Sequence, residues 1–133
     1  MKKIIPALAL LLFTSSVHAG ELDGKYIYCP ADAKGYEFSR GYVNVMNIYY
    51  SKKFKENRVG LAINGSEYIA GTRFVRWEVK NLIGQIIGRY RLDRRTVRLR
   101  RHGKTIRCHL SSQDKIRSEL KAVIARAKRK NKL

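Results

Sequence analysis

The chain is short of the groups that do chemistry. Of its three histidines, His18 lies in the leader described below, which leaves His102 and His109. No Cys-x-x-Cys, no glycine loop of the kind that cradles phosphate and no nucleophile elbow occurs in the 133 residues. Two cysteines, Cys29 and Cys108, leave too few ligands for a metal centre once they bond to each other. Acids are scarce as well, with 10 Asp and Glu against 29 Lys and Arg. A catalytic site drawn from this inventory is at most that of a small basic nuclease: one histidine with Glu37, Glu67 or Glu78, and arginines for the phosphate. No spacing demands it, so the expectation is a protein that is not an enzyme and carries no cofactor.

What is present at the start is an address. Met1-Lys2-Lys3, an apolar run over 4–13, a polar Thr14-Ser15-Ser16 and then Val17-His18-Ala19 before Gly20 make the parts of a secretory signal peptide, 1–19. The run is too short to span a bilayer, and no later segment is apolar or long enough to do so. No cysteine follows the expected cut, which argues against a bacterial lipoprotein anchor. The mature product is expected in the periplasm or outside the cell.

About 114 residues remain after the leader, enough for one domain with one modest core. Removing Lys2 and Lys3 leaves 27 cations against 10 anions, a net +17. Such an excess favours anionic partners: nucleic acid, lipopolysaccharide, acidic phospholipid, acidic polysaccharide or a protein with an acidic surface. Solubility of an exported protein is the plainer alternative. In that compartment an isolated cysteine pair is most simply a disulfide. Closing a loop of about 80 residues, it is worth ~4–5 kcal/mol on the chain-entropy estimate. It also requires the first strand to meet the last, because bonded cysteines sit within ~7 Å at Cα.

Residues 89–110 carry the clearest pattern, a strict alternation. A two-residue turn at His102-Gly103 pairs Leu99 with Ile106, Val97 with Cys108 and Arg98 with Arg107. A turn over 93–96 then sets Leu92 opposite Val97, Tyr90 opposite Leu99, Arg91 opposite Arg98 and Arg89 opposite Arg100. One face is apolar and the other is arginine, and a one-residue slip would bury the arginines. Earlier strands are read at 24–29, 36–40, 42–50 and 58–64. The third of these has apolar residues on both parities, so its inward face is undetermined. Asn64-Gly65 signals a type I′ hairpin, pairing Leu61 with Tyr68 and Val59 with Ala70. A bulge at Gly71-Thr72 moves the apolar parity to Val75, Trp77 and Val79. Those three then face Tyr90, Gly88 and Ile86, with Leu82 and Ile83 at the tip of the connecting loop, over a barrel mouth or against a partner.

Eight short strands without intervening helices give an antiparallel meander. Tying its ends through Cys29 and Cys108 predicts a mainly β fold, an eight-stranded up-and-down barrel over 20–110. After Leu110 the period changes. Ser111-Ser112 can cap a helix, Asp114 sits in its first turn, and Ile116, Leu120, Val123, Ile124 and Ala127 form one stripe. The segment 111–133 is thus an amphipathic basic helix and tail, packed on the barrel or, alternatively, making peripheral contact with a membrane.

A signal peptide, a Gly24-Lys25-Tyr26 opening on the first strand, eight antiparallel strands and a helix after the last resemble the lipocalins and the wider calycin group. Tyr26 stands where lipocalins carry Trp, and the chain is shorter than theirs. The resemblance implies a carrier with a small apolar ligand inside the barrel, and it transfers no ligand-contact residue.

The arginine face is the candidate site. Arg91, Arg98 and Arg107 are expected in one row and Arg76, Arg89 and Arg100 in another, with Tyr26, Tyr28 and His109 on the same parity to stack or hydrogen-bond. Like charges set opposite one another cost stability, and guanidinium forks suit phosphate or sulfate. A surface kept for a polyanion is the expectation.

Overall fold

The structure, a computed structural model, describes residues 20–130; the leader read at 1–19 lies outside the described residues. Nine strands are formed among the described residues: β1 (Tyr26–Cys29), β2 (Lys34–Ser39), β3 (Tyr42–Ser51), β4 (Glu56–Ala70), β5 (Phe74–Lys80), β6 (Ile86–Asp93), β7 (Arg98–Arg101), β8 (Lys104–Arg107) and β9 (His109–Ser111). Helix α1 (Gln113–Lys130) follows. The strands lie in the order β8-β7-β6-β5-β4-β3-β2-β1-β9, every neighbouring pair antiparallel. Strands β8 and β9 are two halves of one run that breaks at Cys108, the first half paired with β7 and the second with β1. One segment therefore sits at both ends of the sheet and curls it into a nearly closed barrel. At the break the Cys108 N–H donates to the Val97 carbonyl at 2.9 Å. This break makes the strand count nine where the sequence predicts eight. Cys29, the last residue of β1, is bonded to Cys108 with the Cα atoms 4.2 Å apart, so the disulfide ties the seam.

Two apolar clusters hold the fold. Inside the barrel lie Leu22, Ile27, Tyr36, Phe38, Val43, Tyr68, Val75, Trp77, Leu92 and Leu99 with the two cysteines. Trp77 stacks on Tyr90 (5.3 Å between ring centres, 7° between planes), and Phe38 meets Trp77 and Tyr68 edge-on. Outside, Tyr28 and Met46 bury against Ile116 and Leu120 of α1, flanked by Tyr26, Ile48, Val59 and Leu61. The double parity of β3 now has its reason: Val43 and Val45 face the interior, while Met46 and Ile48 face the helix. Ser112 caps α1, its Oγ accepting the Lys115 N–H at 3.2 Å. Gly35 lets the helix sit close, because a Cβ there would stand 2.5 Å from Ile116 Cγ2.

Three registers differ from expectation. Asn64-Gly65 makes no hairpin; β4 runs unbroken from Glu56 to Ala70 and pairs with β3 from Ser51↔Glu56 to Tyr42↔Glu67. Leu61 thus faces Met46, not Tyr68, and Val59 faces Ile48, not Ala70. Ten residues of β3 offer a long ladder, and the local turn signal yields to it. Gly65 serves an irregularity instead, where the register shifts between Val43 and Val45 and a Cβ would collide with the Val43 carbonyl. The reversal comes at Gly71, whose N–H donates to the Phe74 carbonyl at 2.8 Å. In the β5–β6 pair, Trp77 faces Tyr90, Val75 faces Leu92 and Val79 faces Gly88, two residues from the expected partners, because β6 carries an irregularity opposite Val79 and Lys80. In the β6–β7 pair, Leu92 faces Leu99 and Arg91 faces Arg100, again a shift of two, because the turn extends to Val97 at φ 54°. Even shifts preserve the faces, so the sorting into apolar and cationic sides survives. The β7–β8 pairing at His102-Gly103 has the expected register, with positive φ at both turn residues.

Candidate anion-binding face

Strands β5 to β8 alternate so that Phe74, Arg76 and Glu78, then Arg89, Arg91 and Asp93, then Arg98 and Arg100, and finally Thr105 and Arg107 share the outer side. Cross-strand partners give one row of Arg76, Arg91, Arg100 and Thr105 and a second of Phe74, Asp93, Arg98 and Arg107. Both expected rows are thereby regrouped. Arg91 belongs with Arg76 and Arg100, Arg98 with Arg107, and Arg89 stands opposite Glu78, to which its Nε donates at 3.2 Å. Arg76, Arg89, Arg91, Arg98, Arg100 and Arg107 are all exposed. Among the described residues none of Arg76, Arg91, Arg98, Arg100 and Arg107 forms an ion pair with a carboxylate.

Two acids lie on this face, Glu78 and Asp93, and each already has an arginine partner, while other acids are engaged off it. Asp32 takes a two-pronged contact from Arg101, whose Nε lies 2.7 Å from Oδ2, and raises the Arg101 guanidinium above its ordinary range. Glu21 pairs with Arg94 at 2.5 Å. Asp23 accepts from the Tyr68 hydroxyl at 2.9 Å and from the Gly41 N–H at 3.0 Å. Asp93, the one acid inside the second row, accepts from the Arg95 N–H at 2.9 Å and from Arg73 at 3.2 Å. Desolvation pushes its carboxyl up, but those backbone and guanidinium donors outweigh it and hold it below the ordinary carboxylate range.

Two shallow clefts of about 320 Å³ each open on this side and share Arg91 and Arg100. One is completed by Arg76, Arg89 with its partner Glu78, and the His102-Gly103 turn, the other by Arg98, Thr96, Thr105 and the Arg73-paired Asp93. Phe74 floors the second, with the Arg91 guanidinium 4.7 Å and the Arg73 guanidinium 5.2 Å from its ring centre. Sequence reasoning missed Phe74, Thr96 and Thr105, although the alternation that collects the arginines also places Phe74 and Thr105 beside them. An anionic oxygen seated between Arg91 and Arg100 would meet several N–H donors and hydroxyls together.

The other expected contributors lie apart. Tyr28 is buried beneath α1, and that burial raises its phenol above the ordinary value. Tyr26 is half-buried and donates to Glu37 at 2.9 Å, which, with that burial, raises its phenol above the ordinary value. His109 is exposed and sits edge-on to Tyr28, with the ring centres 5.7 Å apart, on the far side of the seam. Their shared parity holds, but the helix covers that side of β1, so the tyrosines take no part in the open arginine surface. Of the acids a nuclease would use, Glu37 also accepts from Asn44 at 3.0 Å, Glu67 faces the Tyr42 hydroxyl at 3.5 Å and Glu78 is paired with Arg89.

No family model, curated protein or solved structure matches this chain.

Proposed function

We propose that this is an exported, non-enzymatic binding module that holds a polyanionic partner on the outer side of β5 to β8. The observation that carries the reading is the Arg76–Arg91–Arg100 row, in which like charges face one another across neighbouring strands and, among the described residues, none is ion-paired with a carboxylate. Such a row costs stability in the absence of a counter-ion, and counter-charge from a polyanion offsets that cost. The seam disulfide and the leader at 1–19 support export to the periplasm or beyond the cell. The interior is packed with Trp77, Tyr90, Tyr36, Phe38 and Tyr68, which favours the outer surface over the inside as the place of binding.

The test is retention on immobilised heparin with elution by salt, comparing the parent chain with Arg76→Glu/Arg91→Glu/Arg100→Glu. The parent is expected to elute late, and the variant at much lower salt with its fold intact. Equal elution of the two would sink the proposal.

A further inference from the structure

At the upper end of the arginine face the β5–β6 hairpin projects an apolar tip. Leu82 is fully exposed, Ile83 is 77% exposed, and Ile86 and Ile87 are exposed behind them. The tip is well braced: Asn81 Oδ1 accepts from the Ile83 N–H at 3.1 Å and the Gln85 N–H at 2.9 Å, the Asn81 N–H donates to the Gln85 carbonyl at 2.9 Å, and Gly84 supplies the positive φ of 85°. The two aliphatic side chains are thus held out into water by a fixed turn with no apolar neighbour to cover them. Immediately below stand Lys80 and Arg89, both exposed, and then Arg76, Arg91 and Arg100. Glu78 is the one acid on the outer side of this hairpin before Asp93, and it is already paired with Arg89.

The geometry points to docking on an anionic phospholipid bilayer, Leu82 and Ile83 entering the interface while the cations below meet the headgroups. This rests on the polyanion reading and names its source. Along a strand, Arg89 lies two residues and Arg91 four residues from Ile87, so ~7 and ~13 Å further out. Interfacial segments bury their apolar side by ~5–10 Å, which puts Lys80 at the phosphates together with the Arg89–Glu78 pair, and Arg76, Arg91 and Arg100 just beyond them. A convex aliphatic tip with a cationic collar suits a fluid surface that closes around it, and the positive collar selects an anionic one. Helix α1 does not compete for this role, since Ile116 and Leu120 are spent on the sheet.

The experiment is co-sedimentation of the chain with phosphatidylcholine vesicles, with and without one quarter phosphatidylglycerol, run beside heparin retention. The comparison variant is Leu82→Ser/Ile83→Ser, whose positions are exposed and outside both apolar clusters. The parent is expected to bind only the anionic vesicles. The variant is expected to lose on the order of 100-fold in vesicle affinity, for two large aliphatic side chains kept in water, while its heparin retention stays unchanged. Equal vesicle binding by parent and variant overturns the inference, as does loss of heparin retention along with vesicle binding. A parent that binds heparin but no vesicle overturns the membrane inference alone; a parent that binds neither overturns the polyanion reading itself. As a direct readout, Ile83→Trp should shift its emission to the blue with anionic vesicles and not with heparin, against the constant signal of buried Trp77. No shift with vesicles counts against insertion.

Discussion

Replacing Arg91 by Glu should make the protein more stable and a weaker binder. Arg91 stands directly opposite Arg76 on one side and Arg100 on the other. The substitution turns two like-charged cross-strand pairs into two opposite-charged ones, a swing of roughly 0.5–1 kcal/mol per pair. Against this stands the contact of the Arg91 guanidinium with the Phe74 ring at 4.7 Å. At an exposed site that contact is worth ~0.5–1 kcal/mol. The balance is a gain of roughly 0.5–1 kcal/mol, measurable as a higher urea midpoint with an unchanged slope. Arg91→Gln should fall between parent and Glu variant. In the same preparations, heparin elution should move to lower salt, because a phosphate- or sulfate-binding cation has been lost and an anion put in its place. A destabilisation above ~1 kcal/mol by Arg91→Glu, or unchanged elution, would refute the argument that this row is held at a cost for a ligand.

Other consequences concern the frame. The Cys29→Ala/Cys108→Ala variant releases a seam spanning 79 residues and should lose ~4–5 kcal/mol of unfolding free energy in urea; a loss below ~1 kcal/mol would show that the barrel seam closes without help. Burial, together with the Asp23 hydrogen bond, pushes the Tyr68 phenol up to about 12, whereas in the unfolded chain it ionises near its ordinary value of 10.0. Above pH 10 the unfolded chain therefore releases a proton that the folded one keeps. The Tyr68 contribution is level below that point and falls by ~2–3 kcal/mol as the pH approaches 12, and the buried Tyr36 phenol, raised in the same direction, adds to the fall in stability. Tyr68→Phe should flatten part of that fall in pH-dependent urea melts; an unchanged slope contradicts the assignment.

Much of this architecture was legible because alternation is local. His102-Gly103 sets the β7–β8 register by itself, since both turn residues take positive φ. The faces of β5 to β8 were equally plain, since each register error was even. What sequence could not supply was the competition between local and distant pairing. Asn64-Gly65 has the strongest turn chemistry in the chain, yet the ladder with β3 overrides it. Val97 at φ 54° is a β-branched residue in a conformation no propensity favours there, so local signals centre the turn over 93–96, one residue before its place at 94–97. Parity also tells which side a residue faces and not what covers that side; Tyr26 and Tyr28 have the parity of surface groups, and α1 covers them. The pairs that withdraw acids from the arginine face are 69 and 73 residues apart in sequence, beyond any pattern along the chain.

Backbone amide shifts, followed while the protein is titrated with a heparin-derived oligosaccharide, locate the bound anion residue by residue. Binding on the arginine face puts the largest changes on β5 to β8, at Arg76, Arg91, Arg98, Arg100 and Arg107. Changes gathered instead on the basic groove formed by Arg58 with Arg117, Lys121 and Lys128 of α1, or spread evenly over the chain, would contradict it.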